Sequence, residues 1–129
     1  MISKIKLSNY DLPILLSLIF LPLISIFVLP IYIYFNGIIW QEIFMLVFGW
    51  FLAGMGITIG YHRYFSHKSF KTHSIVEWFL MFFGSMALQN TILNWCSDHR
   101  RHHRKLDTKD DPYSITEGFL HAHIGWVVK

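Results

Sequence analysis

Between Leu12 and Phe35 no charged residue interrupts a run of aliphatic and aromatic side chains. At about 1.5 Å per residue, a helix over those roughly 24 positions exceeds the ~30 Å hydrocarbon core of a bilayer. The pattern predicts a membrane-spanning helix over 12–35, kinked at Pro22 and Pro30, which such helices tolerate where neighbours re-satisfy the freed carbonyls. Asn36-Gly37 marks a turn, and Gln41-Glu42 is the polar interruption before a second apolar run over 43–61. The two runs predict a helical hairpin of two transmembrane helices. The second carries Gly49-xxx-Ala53 and Gly56-xxx-Gly60, a spacing that lets helices approach closely in lipid and that is also ordinary glycine background in a membrane helix.

A third apolar stretch, 75–88, contains Glu77 and reaches only about 21 Å, too short to cross. It predicts a non-spanning helix, extended to 75–94 by the polar residues that follow, which dips into the membrane and returns. Ser74-Ile75-Val76-Glu77 fits a capping box at its start. Residues 107–112 read as a turn from their Asp and Pro content and lack the spacing of a calcium loop. Ser114-Ile115-Thr116-Glu117 fits a second capping box, opening a helix with His121, His123 and Trp126, an amphipathic pattern still running at Lys129 with no stop signal.

Composition agrees with the hydropathy pattern. A chain of 129 residues that is 53% hydrophobic and 18% aromatic, with mean hydropathy +0.40, is too apolar for an ordinary soluble domain. The predicted class is an all-α integral membrane protein: the hairpin, then a cytoplasmic-side or interfacial region over 62–129. Lys4 and Lys6 precede the first span, the short turn carries no basic residue, and Arg63, Lys68 and Lys71 follow the second. By the positive-inside rule residues 1–11 and everything after the hairpin face the cytoplasm. A formal charge of +3, with basic residues flanking the apolar runs, offers no nucleic-acid-binding pattern. Arg63, Lys68, Lys71, Arg100, Arg101, Arg104 and Lys105 would meet anionic lipid headgroups.

The candidate chemistry is in the histidines. Six of the eight lie between His62 and His103, and none precedes His62. Imidazole is the commonest metal ligand at neutral pH. His99, His102 and His103 have the three- and four-residue spacing that gathers side chains on one helical face. His62 and His67, five apart, fall roughly 140° from each other on an ideal α-helix. Either the helix ends between them or they face different metals. The single cysteine, Cys96, excludes an intramolecular disulfide and a thiolate-rich site, leaving nitrogen and oxygen donors. If the two groups share a centre, the segment between them does not cross the bilayer.

Over residues 56–126 the chain resembles the membrane-bound fatty acid desaturases, acyl-CoA (Δ9-type) branch. Gly56-Ile57-Thr58-Ile59-Gly60-Tyr61-His62-Arg63 with Ser66-His67-Lys68 resembles the first histidine box. Asn94-Trp95-Cys96-Ser97-Asp98-His99-Arg100-Arg101-His102-His103, continuing to Asp111-Pro112-Tyr113-Ser114, resembles the second. Gly118-Phe119 and His123-Ile124-Gly125-Trp126 resemble the stretch that follows. The resemblance implies a non-haem di-iron centre that uses two electrons and O2 to place a cis double bond in an acyl chain. His62, His67, His99, His102 and His103 fall on iron ligands; Gln89, Asn90 and Trp95 fall along the acyl path, and Asp98 near the acyl carrier. His73, His121 and His123 match no ligand.

The same likeness implies an acyl-CoA or other acyl carrier, O2, and cytochrome b5 or a ferredoxin as electron donor. It also implies a third histidine box and a second transmembrane hairpin beyond Lys129, so the chain reads as the N-terminal part of such an enzyme, with an incomplete ligand set and no activity alone. Related di-iron hydroxylases, ketolases and conjugases reuse these boxes. A histidine-rich metal-binding or transport protein is the reading from another class, and it would place ligands within the spans, which here are free of histidine until His62.

Overall fold

The computed structural model describes residues 11–128. Lys4, Lys6 and the rest of the expected N-terminal segment before Asp11 lie outside them, as does Lys129. Every regular element among the described residues is helical.

Helix α1, Leu12–Asn36, starts where Asp11 accepts the Ile14 N–H at 3.2 Å and Pro13 occupies the first turn, where a missing N–H removes no helical bond. It runs unbroken through Pro22 and Pro30 and buries none of its residues against the protein. Ile26 and Phe27 are 63% and 67% exposed, a surface that lipid can solvate and water cannot. Gly37, at φ +72°, ends the helix by donating to the Ile33 carbonyl at 2.8 Å.

Helix α2 spans Trp40–Met55 and so begins before the expected position 43. The Gln41-Glu42 pair does not interrupt the chain. Glu42 turns back to accept the Ile39 N–H at 3.1 Å and also accepts the Tyr32 hydroxyl, tying the two arms together beside the turn. At Met55 the helix does not end at position 61 either. It widens into a π-helical segment, Gly56–Ser66, and the combined helix Trp40–Ser66 is long and apolar enough to cross a bilayer, as is α1.

Helix α3, Ser74–Ser85, has 12 residues, about 18 Å, and cannot cross. Its cap is His73, whose Nδ1 accepts the Ile75 N–H at 3.3 Å, so the expected Ser74–Glu77 capping box does not form. Glu77 instead accepts the hydroxyl of Tyr64 on the π segment. The expected continuous helix over 75–94 is two helices. Leu88 and Asn90 adopt left-handed backbone angles, φ +54° and +76°, which a right-handed helix cannot contain. Thr91 then caps α4, Ile92–Lys105, by accepting the Asn94 N–H at 3.3 Å.

Beyond α4, Ser114 caps only a single 3-10 turn, Ile115–Glu117, because Gly118 at φ +103° breaks the chain direction. The helix expected from the second capping box is therefore the short α5, Phe119–His123, followed by a 3-10 turn over Gly125–Val128. Val127 and Val128 are buried, and the Val128 carbonyl accepts the Asp11 N–H at 2.8 Å. The start of α1 and the end of the described chain are thus stitched together.

Gly56 and Gly60 face α3, against Phe83, Gly84 and Leu80, whereas an added Cβ on Gly49 would meet nothing. The close-approach reading holds for the second glycine pair alone. The buried core is small: Tyr61 of the π segment with Trp95 and Cys96 of α4, flanked by Ile57, Phe65, Ile92 and Trp126.

Candidate metal centre

The π-helical segment determines how the first two histidines relate. Its backbone bond from the His67 N–H to the His62 carbonyl, 3.1 Å, joins residues five apart. The wider turn brings side chains at that spacing toward one side, which an α-helix would not do. Their rings lie 4.7 Å apart, centroid to centroid. Of the two sequence alternatives the first holds: the helix ends between them, at Ser66 with His67 as its cap, and the two rings face the same place.

Helix α4 brings the second group. His99 Nε2 is 3.1 Å from His67 Nε2 and 3.0 Å from His103 Nε2, and the His62 ring lies 4.5 Å from that of His99. One ring nitrogen from each of His62, His67, His99 and His103 falls within 4.8 Å of the others, a group able to hold a metal ion. Two nitrogens each about 2.1 Å from one metal at tetrahedral or square angles stand roughly 3.0–3.4 Å apart, so the observed separations suit a shared ion. An all-imidazole donor set suits iron as well as zinc, copper or nickel. Cys96 is not among the donors; its Sγ rests on the Tyr61 carbonyl at 3.5 Å.

His102, the fifth histidine of the boxes, stands outside this group. Its ring is 5.6 Å from His103 and 6.3 Å from His99, and its Nδ1 meets Asp111 Oδ1 at 2.8 Å. Asp111 is 2% exposed and also accepts the Tyr113 N–H at 2.9 Å and the Asp107 N–H at 2.9 Å. Burial alone would raise its pKa, but these three hydrogen bonds to the charged form outweigh it and hold the carboxyl below its usual range.

Electrostatics keeps the centre ready for a cation. Burial first, then the neighbouring imidazoles of His62, His103, His67 and His102, push His99 down to about 4. It is neutral at physiological pH, with its lone pair available. Trp95 lies over it nearly parallel, 4.8 Å between centroids, and its indole N–H donates to Gln89 Oε1 at 3.1 Å. Asp98 is raised by burial, partly offset by Arg101 at 3.4 Å.

The residues expected along the acyl path, Gln89, Asn90 and Trp95, and Asp98, expected near the acyl carrier, do not line one cavity. Gln89 and Trp95 are bonded to each other beside His99. Asn90 caps its own turn, accepting from Thr91 N–H and Asn94 Nδ2, and lines a crevice of about 730 Å³ with Ile14, Tyr61, Leu88 and Ile92. Asp98 lines a separate cleft of about 580 Å³ with Arg101, Lys105 and Lys109. His73, His121 and His123 stay out of the four-histidine group; His121 Nε2 donates to the Pro112 carbonyl at 2.9 Å.

Two residues of the site, both within the stretches that resemble the boxes, were assigned no role from sequence. Tyr61, 2% exposed, packs in the core with Trp95 and Cys96. Asp111 was legible as part of a turn and of the stretch continuing the second box, and the signal that gives it a role is an Asp immediately before Pro, free to bond the N–H two residues on.

No family model matches the chain. Individual proteins do. A Delta(9)-fatty-acid desaturase of Caenorhabditis elegans is 43% identical over 89 residues, 69% of this chain and 26% of the relative. An (11Z)-hexadec-11-enoyl-CoA conjugase of Bombyx mori is 49% identical over 78 residues, 60% of this chain and 24% of the relative. An sn-1 stearoyl-lipid 9-desaturase of Anabaena variabilis is 42% identical over 79 residues, 61% of this chain and 29% of the relative. The chain spans about a quarter of the length of these curated relatives. With two long apolar helices, a clustered set of histidines and these identities, the chain is an integral membrane protein that belongs to the fatty acid desaturase family.

Proposed function

We propose that this chain supplies the first part of a fatty acyl desaturase: the membrane hairpin, the first two histidine boxes and one wall of the substrate site. The observation that carries the reading is the convergence of His62, His67, His99 and His103 across 32 residues of sequence, between His67 and His99, in a chain related to desaturases. His62, His67, His99, His102 and His103 are the residues that would hold non-haem iron. A bound di-iron centre supplies the O2-dependent removal of two hydrogens from an unactivated acyl chain at the cost of two electrons.

The remaining work falls to this chain's own side chains. Neutral imidazoles hold a cation without neutralising its charge, leaving it strongly polarising. The indole of Trp95, fixed by Gln89 and packed on Tyr61, covers one side of His99 and excludes water there. The cleft beside Asp98 carries Arg101 and Lys105 paired with Asp98 and Asp110, together with Lys109, and an acyl-CoA phosphate would have to compete with those carboxylates for the cations. Cytochrome b5 or a ferredoxin is the proposed electron donor.

The site lies on the cytoplasmic side. Arg63 lies in the last turn of the second span, Lys68 and Lys71 follow it, and α3 is too short to carry the chain across before His99 meets His67. The exposed aromatic face of α3, Trp78, Phe79 and Phe82, suits a helix lying in the interface.

The test is expression of the chain, alone and continued in frame by whatever coding sequence follows it, in a host without its own desaturase. Acyl composition is read by gas chromatography and iron per chain by elemental analysis. The alone form is expected to bind less than a full pair of irons and to leave acyl chains unchanged. New cis-unsaturated chains are expected from the continued form, and their absence, with iron bound, would count against desaturation in favour of a related hydroxylation or ketolation.

A further inference from the structure

We infer that Asp111 is a positioning residue for the metal centre: its buried carboxylate holds the Nδ1–H of His102 and so leaves Nε2 of that ring as the metal-facing nitrogen. The inference rests on the reading of His102 as a ligand, and it concerns a residue of the stretch that continues past the second histidine box, to which the sequence reading gave no role.

Three observations carry it. First, the carboxylate is fully engaged from three directions: Oδ1 by His102 Nδ1 at 2.8 Å and the Tyr113 N–H at 2.9 Å, Oδ2 by the Asp107 N–H at 2.9 Å. Its side chain is completely screened from solvent. An ionised carboxylate only accepts, so the ring nitrogen facing it carries the proton and the other keeps its lone pair.

Second, the chain is shaped to make this arrangement. Asp107 takes a left-handed φ of +55°, the conformation that turns its N–H back toward Asp111, and Asp111 bonds the N–H two residues ahead across Pro112. The loop after α4 is thereby clamped to the helix by one side chain. Third, the imidazole has an aromatic neighbour as well as its hydrogen bond, with the Tyr113 ring 5.1 Å away and tilted by 43°, and Trp126 4.6 Å beyond Tyr113. A histidine ligand whose second nitrogen is held by a carboxylate has its tautomer and ring plane set before metal arrives, and losing that partner typically weakens metal binding about 10–100-fold.

His102 also differs from the other four in this respect. His67, His99 and His103 contact one another through Nε2, with no carboxylate on any of them among the described hydrogen bonds. The pair His102–Asp111 therefore prepares a position beside the four-histidine group and not a fifth contact within it.

The test uses the chain purified in detergent, metal-free and then titrated with Co2+, comparing wild type with Asp111→Asn, Asp111→Ala, His102→Ala and the double variant Asp111→Ala/His102→Ala. Long-range 1H–15N correlation on histidine-labelled protein reads the His102 tautomer without metal. Wild type is expected to show the proton on Nδ1, Asp111→Ala to lose that preference, Asp111→Asn, whose neutral oxygen accepts more weakly, to reduce it, and Co2+ affinity to fall about 10–100-fold in Asp111→Ala and by less in Asp111→Asn. The double variant is expected to bind no more weakly than His102→Ala alone. Asp111→Asn keeps the volume and one acceptor oxygen, so it reports even if Asp111→Ala fails to fold. An unchanged tautomer, or a changed tautomer with unchanged affinity, overturns the proposal, as does additivity in the double variant. A wild type with Nδ1 protonated that takes up no Co2+ overturns the reading of the centre as a metal site while leaving the hydrogen bond intact, which separates the two failures.

Discussion

Gly56 and Gly84 meet backbone to backbone: a Cβ built on Gly56 would fall 2.2 Å from the Gly84 nitrogen. No side chain can yield there, because the obstructing atoms are main chain. Gly84 in turn packs on the ring of Tyr61, where its own Cβ would lie 2.4 Å from Cε1. The contact therefore sets the distance between α3 and the start of the π segment, one turn and a half before His62. Gly56→Ala is expected to push α3 away, destabilise the chain by about 1–3 kcal/mol or more and lower metal uptake. Gly49→Ala, with open space around it, is expected to leave both unchanged. Thermal unfolding and metal stoichiometry in detergent measure the contrast, and equal behaviour of the two variants would remove the packing argument.

Removing single imidazoles should divide the eight histidines into classes. Alanine at His62, His67, His99 or His103 deletes a donor from a group within 4.8 Å and is expected to weaken Fe2+ or Co2+ binding by roughly 100-fold, more than the loss of a supporting residue. His73→Ala and His123→Ala are expected to leave affinity as it is, since His73 caps α3 and His123 stacks on Phe119. Isothermal titration of the set decides, and a strong effect at His73 would redraw the centre.

The bond from Tyr64 to Glu77 links the π segment to the first turn of α3 and takes the place of the capping box. Tyr64→Phe and Glu77→Gln should each cost about 1 kcal/mol and the double variant little more than either, as expected for two ends of one interaction. Ser74→Ala should cost less than about 0.5 kcal/mol, because Ser74 is not the cap. A large loss at Ser74 would restore the capping box.

How much of this was legible differs element by element. The two spans were readable, as 12–35 and 43–61, because uninterrupted apolar length is written directly in the sequence, and the helices Leu12–Asn36 and Trp40–Ser66 are long and apolar enough to cross. The convergence of His62 with His67 was not, since a 100° helical wheel presumes the α repeat, and no side chain announces a π turn. The break between α3 and α4 was hidden for a similar reason: Leu88 gives no sign of a left-handed backbone, although Asn90 and the capping Thr91 do. In the second box the spacing of His99, His102 and His103 was plain, yet the separation of His102 from the other two depends on Asp111, which only the folded loop brings to it.

Acid should loosen the metal-free chain through His99. In an unfolded chain this imidazole titrates near 6.5, whereas burial and the surrounding imidazoles hold it at about 4 in the folded state. Between those values the unfolded chain binds the extra proton, so stability rises with pH across that window. The contribution is complete above about pH 6.5 and is lost progressively as pH falls toward 4, to an extent of order 3 kcal/mol if the site stays closed. Denaturant midpoints measured from pH 7.5 to 4 should therefore decline, and His99→Gln, which has no proton to take up, should flatten much of that slope. Saturating metal should shift the decline to lower pH, because protons then compete with the ion for the same nitrogens. A metal-free slope that His99→Gln leaves untouched would assign the acid sensitivity to another group and remove the case for His99 as the buried, neutral centre of the cluster.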